Sequence, residues 1–249
     1  MSTVPPETIA TLAPHGVLRA AINLGNAVLA QPGNSTHADA APTGITPEIA
    51  FRLGEELGVP VRLVPFNAAG LVAESAANDV WDVAFLGIDP QRAAHIAFTA
   101  PYLLIEGTYA VRKETPFVSV ADVDQPGMRI AAARKSAYDL FLKRTLRHAE
   151  LVYTDTSQAV VDLMLKEDLD AAAGIRQPLI AAVALHEDIQ VLADQFMSIE
   201  QAMGMPLTRL GAGHRFLCDF VERAKFSGFV ETTLQKYGAR GATVAASAE

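Results

Sequence analysis

The sequence predicts an α/β fold in which mainly parallel sheets are flanked by helices. Strand-like and helix-like stretches alternate as β-α-β-α-β in the first hundred or so residues, and a second βαβ series follows a polar segment at Lys113–Gly127. The chain has 249 residues, half of them apolar, which is enough for one large domain or two small lobes.

Taken in order, a polar lead precedes Val17–Asn23 (VLRAAIN), the first predicted strand. Gln31–Thr43 is a long loop rich in Pro, Gly, Asn, Ser and Ala. Thr46-Pro47-Glu48 reads as a helix start, with Thr46 as cap. Ile49, Ala50, Leu53 and Leu57 make its apolar stripe, and Gly58 ends it. Val59–Val64 is a second strand, and Asn67–Gly70 turns into another helix. Val83–Ile88, bounded by Asp82 and Asp89-Pro90, reads as a buried parallel strand. A helix of about two turns follows, capped by Asp89 with Pro90 at its first position. In open α/β sheets ligands sit beyond the strand ends, so Gly87, Asp89 and Arg92 face a candidate site. The alternative is a plain strand–helix joint with Asp89 and Arg92 paired on the surface.

Tyr109–Arg112 is a strand that leaves this unit. The second series comprises strand Arg129–Ala133, helix Tyr138–Leu146, strand Leu151–Tyr153, helix Gln158–Lys166 and strand Leu169–Ala173. Gln177-Pro178 opens a helix, and Ile189–Leu192 is a strand read as the return crossing. Helices near His214–Lys225 and Phe229–Tyr237 complete the pattern, and the small-residue tail Ala239–Glu249 reads as frayed.

Four stretches resemble one family. Gly87-Ile88-Asp89-Pro90-Gln91-Arg92 and Ala97-Phe98-Thr99-Ala100-Pro101-Tyr102 are similar to the "G-I-T-x-T-x-x-R … x-F-S-x-P-Y" segment of the amino-acid-type solute-binding proteins that serve ABC transporters. The loop before Arg92 is two residues shorter, and Asp89 replaces the first Thr. Gly44–Ile49 resembles that family's "G-F-D-V-D-L", and Lys135-Ser136-Ala137-Tyr138 its "K-S-G-T" loop. Leu169–Pro178 resembles "D-A-x-x-x-D-x-P". The resemblance runs from about Leu18 to Gly238 and implies the type II periplasmic-binding-protein-like fold. That means two lobes joined by two hinge crossings: 1–110 with 195–249, and 111–194.

The same resemblance suggests a ligand cleft between the lobes. Arg92 matches the family's clamp on a ligand carboxylate, a bidentate geometry that Lys cannot reproduce. Asn23 and Asn26 stand where the family often has an Asp and an aromatic; their neutral amides bond either donors or acceptors, or else they simply close a turn. Ser136 and Asp139 fit a capping box, so the amides of Ala137 and Tyr138, with Lys135 alongside, offer an anion site at a helix start. Arg176 stands where the family keeps the Asp that pairs with an α-amino group. That swap implies a ligand with acidic groups and no amine near this point, unless Arg176 swings out to solvent or pairs with Glu106 or Glu200. Ala68-Ala69-Gly70 replaces the family's aromatic platform, with Tyr138 as the possible substitute, which suggests a compact ligand.

Composition narrows the function further. A formal net charge of −8 argues against a nucleic-acid or anionic-membrane surface. The single cysteine, Cys218, excludes an internal disulfide and reads as core. The six histidines lack ligand spacing, and no P-loop, G-x-S-x-G, H-E-x-x-H or C-x-x-C motif occurs, so no metal, cofactor or catalytic residue is expected. No apolar run is long enough to span a membrane. Without a leader the chain reads as cytoplasmic as it stands, or periplasmic if a leader preceded it. The expected partner is a small anionic metabolite, together with an ABC permease if the protein is exported. A non-catalytic binding protein is the first expectation. The alternatives are a lyase of the cyclohexadienyl dehydratase type acting on a carboxylated substrate, and the effector domain of a LysR-type regulator, which the lack of a DNA-binding segment disfavours.

Overall fold

The computed structural model describes residues 4–33 and 41–248. The chain forms two compact units: 1–104 with 200–249, and 105–199. The boundaries fall inside two strands, earlier than the expected 110 and later than the expected 194.

Unit 1 opens with helix α1 (Pro6–Leu12), in the stretch expected to be a polar lead. Its apolar side lies against a later helix so closely that a Cβ at Gly213 would stand 2.9 Å from Thr11. Strand β1 (Leu18–Asn23) is followed by the short antiparallel pair β2 (Ala30–Gln31) and β3 (Thr43–Gly44). The long loop read at Gln31–Thr43 lies partly outside the described residues, at 34–40. Helix α2 (Ile45–Leu57) begins before the predicted cap, so Thr46 lies within it, buried, with its hydroxyl toward the Leu29 carbonyl. Gly58 ends the helix in the left-handed region at φ 69°, a conformation that costs glycine little. At Gly54 an added Cβ would meet Val61 at 2.2 Å, so the helix can lie on β4 (Val61–Phe66) only with glycine there.

Helix α3 (Ala69–Glu74) then leads to β5 (Val83–Gly87), all five of whose residues are buried. That burial follows from pairing on both sides: β1 lies between β4 and β5, parallel to each, and β5 is antiparallel to a strand that returns late in the chain. Ala21, Val72, Trp81, Leu86 and Ile96 form one core cluster beside it. Helix α4 (Pro90–Ala93) has a single turn rather than two, because β6 (Ile96–Arg112) starts almost at once. This strand is 17 residues long and carries the chain from unit 1 into unit 2.

Unit 2 contains β7 (Arg129–Ala133), α5 (Ala137–Thr145), β8 (Glu150–Thr154), α6 (Val160–Lys166), β9 (Ala171–Ile175), α7 (Arg176–Val183) and β10 (Ile189–Val191). Strand β7 lies between β8 and β9, parallel to both, and β9 runs antiparallel to the second half of β6. Strand β10 also pairs antiparallel with β6, so it belongs to unit 2 and is not the return crossing. The return is made by β11 (Met197–Pro206), whose Gln201–Gly204 pair with β5 in unit 1. Helices α8 (Ala212–Phe226) and α9 (Phe229–Lys236) follow, then β12 (Ala242–Val244), which pairs with β6. The tail is therefore tied down rather than frayed: the amide of Ala245 donates to the Tyr102 carbonyl at 3.1 Å. Among the described residues no helix is long and apolar enough to cross a membrane.

Candidate functional site

In unit 1 the candidate residues gather at the C-terminal ends of β1 and β5. The Asn23 side chain accepts from the amide of Gly25 at 3.0 Å, and that of Asn26 from the amide of Val28 at 3.2 Å. Both asparagines thus close local turns, the alternative that their sequence left open. Asp89 is buried and caps α4, its Oδ1 accepting from the Gln91 amide at 2.8 Å.

Arg92 is 4% exposed, and its Nη1 donates to the Gly87 carbonyl at 2.8 Å. Burial lowers its pKa to about 10, although the charge of Asp89 pulls the other way. The sequence therefore places a largely desolvated guanidinium at the end of a fully buried strand. A carboxylate reaching that guanidinium would make charge-assisted hydrogen bonds in a medium where they are strong.

In unit 2 the predicted capping box forms only by half: Ser136 caps the helix, but Asp139 reaches back to the Lys135 amide, while the Ser136 amide donates to the Ala133 carbonyl. Ser136 Oγ accepts from the Asp139 amide at 3.0 Å, and Asp139 Oδ2 accepts from the Lys135 amide at 2.6 Å. Lys135 adopts φ 57°, the turn that swings its amide back toward Asp139. Lys143 Nζ lies 3.0 Å from the same Oδ2. The amides of Ala137 and Tyr138 begin the helix and have no intrahelical acceptor. Lys135 is exposed, and Ser136 is at the edge of burial. Tyr138 does not supply a stacking shelf: its ring is 2% exposed, and its hydroxyl donates to Ser157 Oγ at 3.1 Å.

Arg176 has its anionic partner inside the protein. Its Nε donates to Glu106 Oε2, Nη1 to the Leu192 carbonyl at 2.7 Å, and Nη2 to the carbonyls of Ala193 and Asp194 at 3.0 and 2.9 Å. The expectation that Arg176 demands an anionic group from a ligand loses its physical basis, because Glu106 already neutralises it. An amine-bearing solute is not repelled by a guanidinium held this way.

Sequence reasoning passed over a second charged cluster, in unit 1. The fully buried Asp82 receives Arg19 through its backbone amide, Nε and Nη2, and Arg209 through Nη1. Nothing in the spacing of residues 19, 82 and 209 announces it. Among the described residues, no group of three or more His, Cys, Asp or Glu side chains could hold a metal ion.

Residues 22–236 match the family model described as bacterial extracellular solute-binding proteins, family 3. Solved structures share the fold. An amino acid ABC transporter substrate-binding protein, AbpA from Streptococcus pneumoniae, bound to L-arginine, superposes with TM-score 0.77 at 19% identity, covering 93% of this chain and 98% of that one. A mutant of ArgBP from T. maritima gives 0.75 at 17% identity, over 94% and 100% of the two chains. AncCDT-1, an ancestral amino acid-binding protein and precursor of cyclohexadienyl dehydratase, gives 0.74 at 18% identity, over 92% and 99%. No curated protein sequence matches the chain.

Proposed function

Because the chain belongs to the bacterial extracellular solute-binding proteins of family 3, we propose that it captures a small carboxylate-bearing solute and hands it to an ABC permease. The observation that carries the carboxylate is Arg92, a nearly buried guanidinium at the end of β5 with its pKa lowered to about 10. Within unit 2, the start of α5, where the amides of Ala137 and Tyr138 stand beside Lys135, is a separate set of donors suited to an anionic group. The internal pairing of Arg176 with Glu106 removes the bias against amines, so amino acids join di- and tricarboxylates and keto acids as candidate solutes. The family description supports action outside the cytoplasm, which cell fractionation of the producing bacterium tests directly.

Turnover is the weaker reading. Of the acids that could protonate a leaving group, Asp89 is spent on its helix cap, Glu106 is ion-paired, and Glu200 is exposed. A thermal-shift screen of the twenty amino acids, common dicarboxylates, citrate and keto acids should reveal a stabiliser, since any solute that binds the folded state raises its stability. A stabiliser that acts equally on Arg92→Ala removes Arg92 from the proposal, and a panel with no stabiliser at millimolar concentration removes the carboxylate class.

A further inference from the structure

Both passages of the chain between units run past Arg176. Within unit 2, the stretch of β6 after Ile105 carries Glu106, Gly107, Thr108 and Tyr109, and residues 192–196 lead into β11. The two stretches are bonded directly: the Leu192 amide donates to the Tyr109 carbonyl at 2.9 Å, and the Phe196 amide to the Gly107 carbonyl at 3.0 Å. The fully buried Thr108 hydroxyl lies 2.7 Å from the Asp194 carbonyl and 3.3 Å from that of Leu192. The Asp194 carboxylate accepts from the Val120 amide.

Arg176 closes this arrangement from the start of α7. One edge of its guanidinium takes Glu106 on the outgoing strand, while both terminal nitrogens take the carbonyls of residues 192, 193 and 194 on the returning one. Three consecutive carbonyls turned toward one place would repel one another without a donor among them, and the planar guanidinium of Arg176, held by Glu106, supplies donors to all three. The side chain is 15% exposed, so solvent screens the contacts only in part.

We infer that Arg176 is a clasp that fastens the outgoing and returning chain to unit 2 as one rigid piece, confining any bending of either passage to residues before 105 or after 196. Arg176 acts here as a positioning residue, and the clasp does not depend on which solute the protein takes. Lysine cannot replace it, because a single ammonium cannot reach a carboxylate on one strand and three carbonyls on the other.

The test is hydrogen exchange by mass spectrometry on the full chain without added solute, comparing the wild type with Arg176→Gln, Arg176→Lys and Glu106→Gln. The amides of residues 106–111 and 192–196 should exchange about tenfold faster or more in all three variants, while those of α5 and α6 keep wild-type protection. Wild-type exchange at 192–196 in Arg176→Gln overturns the inference. So does an equal rise across every strand of unit 2, or full protection retained by Arg176→Lys. If Arg176→Gln does not fold, Glu106→Gln, which keeps a neutral acceptor in place, gives the same reading through the same peptides. If the wild type binds no solute, the functional proposal fails while the exchange result stands.

Discussion

Arg209 Nη1 lies 2.7 Å from Oδ1 of Asp82, a carboxylate with no exposed surface that also holds Arg19. The two guanidiniums converge on one acid from opposite parts of the sequence of unit 1. Arg19 holds its proton more tightly than usual, chiefly through its hydrogen bond to Asp82. Removing the acid takes from Arg209 its carboxylate and leaves Arg19 with only the more exposed Asp79. Asp82→Asn should destabilise the protein by about 3–5 kcal/mol, and Arg209→Ala, which is partly exposed, by about 1–3. Urea unfolding followed through unit 1's Trp81 measures both, and equal small effects would mean that the cluster is loosely hydrated.

Arg92 should matter more for binding than for folding. Losing a charge-assisted contact costs about 1.5–3 kcal/mol, so Arg92→Ala should weaken the solute found by thermal shift by about 10- to 100-fold. Arg92→Lys should not restore it, since an ammonium lacks the planar fork. Isothermal titration of both variants checks this, and affinity regained by the lysine would point to a bare charge effect.

Glu48 supplies a pH signature. Its Oε1 accepts from Lys236 at 2.6 Å and from the Tyr237 hydroxyl at 2.8 Å, joining α2 to α9, and the Lys236 bond leads in pulling its pKa below 4.5. A depressed acid stabilises the fold above its unfolded pKa, and that contribution fades as pH drops through the folded value. The difference in urea midpoint between wild type and Glu48→Gln should therefore be full at neutral pH and shrink below about 4.5. A difference that stays constant down to pH 3 would show that the bond is not electrostatic in origin.

Lys225 anchors the tail. Its ammonium, on a side chain 2% exposed, donates to the carbonyls of Pro101 and Ala246 at 3.2 and 2.9 Å and pairs with Glu222. Lys225→Met keeps the packing but loses the tether, which should cost about 1–3 kcal/mol, or about 2–4 °C in melting temperature for each kcal/mol. Limited proteolysis should then clip after residue 240 first, and an unchanged cleavage pattern would assign the anchoring to β12 pairing alone.

The α/β alternation and the family were legible in the sequence because periodicity and short motifs are local. So was Ser136 as the cap of α5, whose partner amide at Asp139 lies three residues on. What escaped is long-range. Met197–Pro206 is rich in Met, Glu, Gln and Ala, residues that favour helix, and becomes strand because β5 offers it an edge. The pairing of Arg176 with Glu106 joins residues 70 apart, so the sequence could name both side chains without deciding between solvent, ligand and each other. The shortened joint after β5 was misjudged in length because the start of β6 carries no turn residue of its own to mark where the helix stops.

The late arrival of β11 has a consequence for how the chain is made. Unit 2 is one uninterrupted stretch, 105–199, and all of its strands have left the ribosome before Gln201 can pair with Gly87. Until then β5 has an unfilled edge, and a sticky apolar ribbon waits while its neighbour in sequence folds. Mutations that slow unit 2 would thus prolong the life of that open edge, and their damage would surface as aggregation of a segment they never touch.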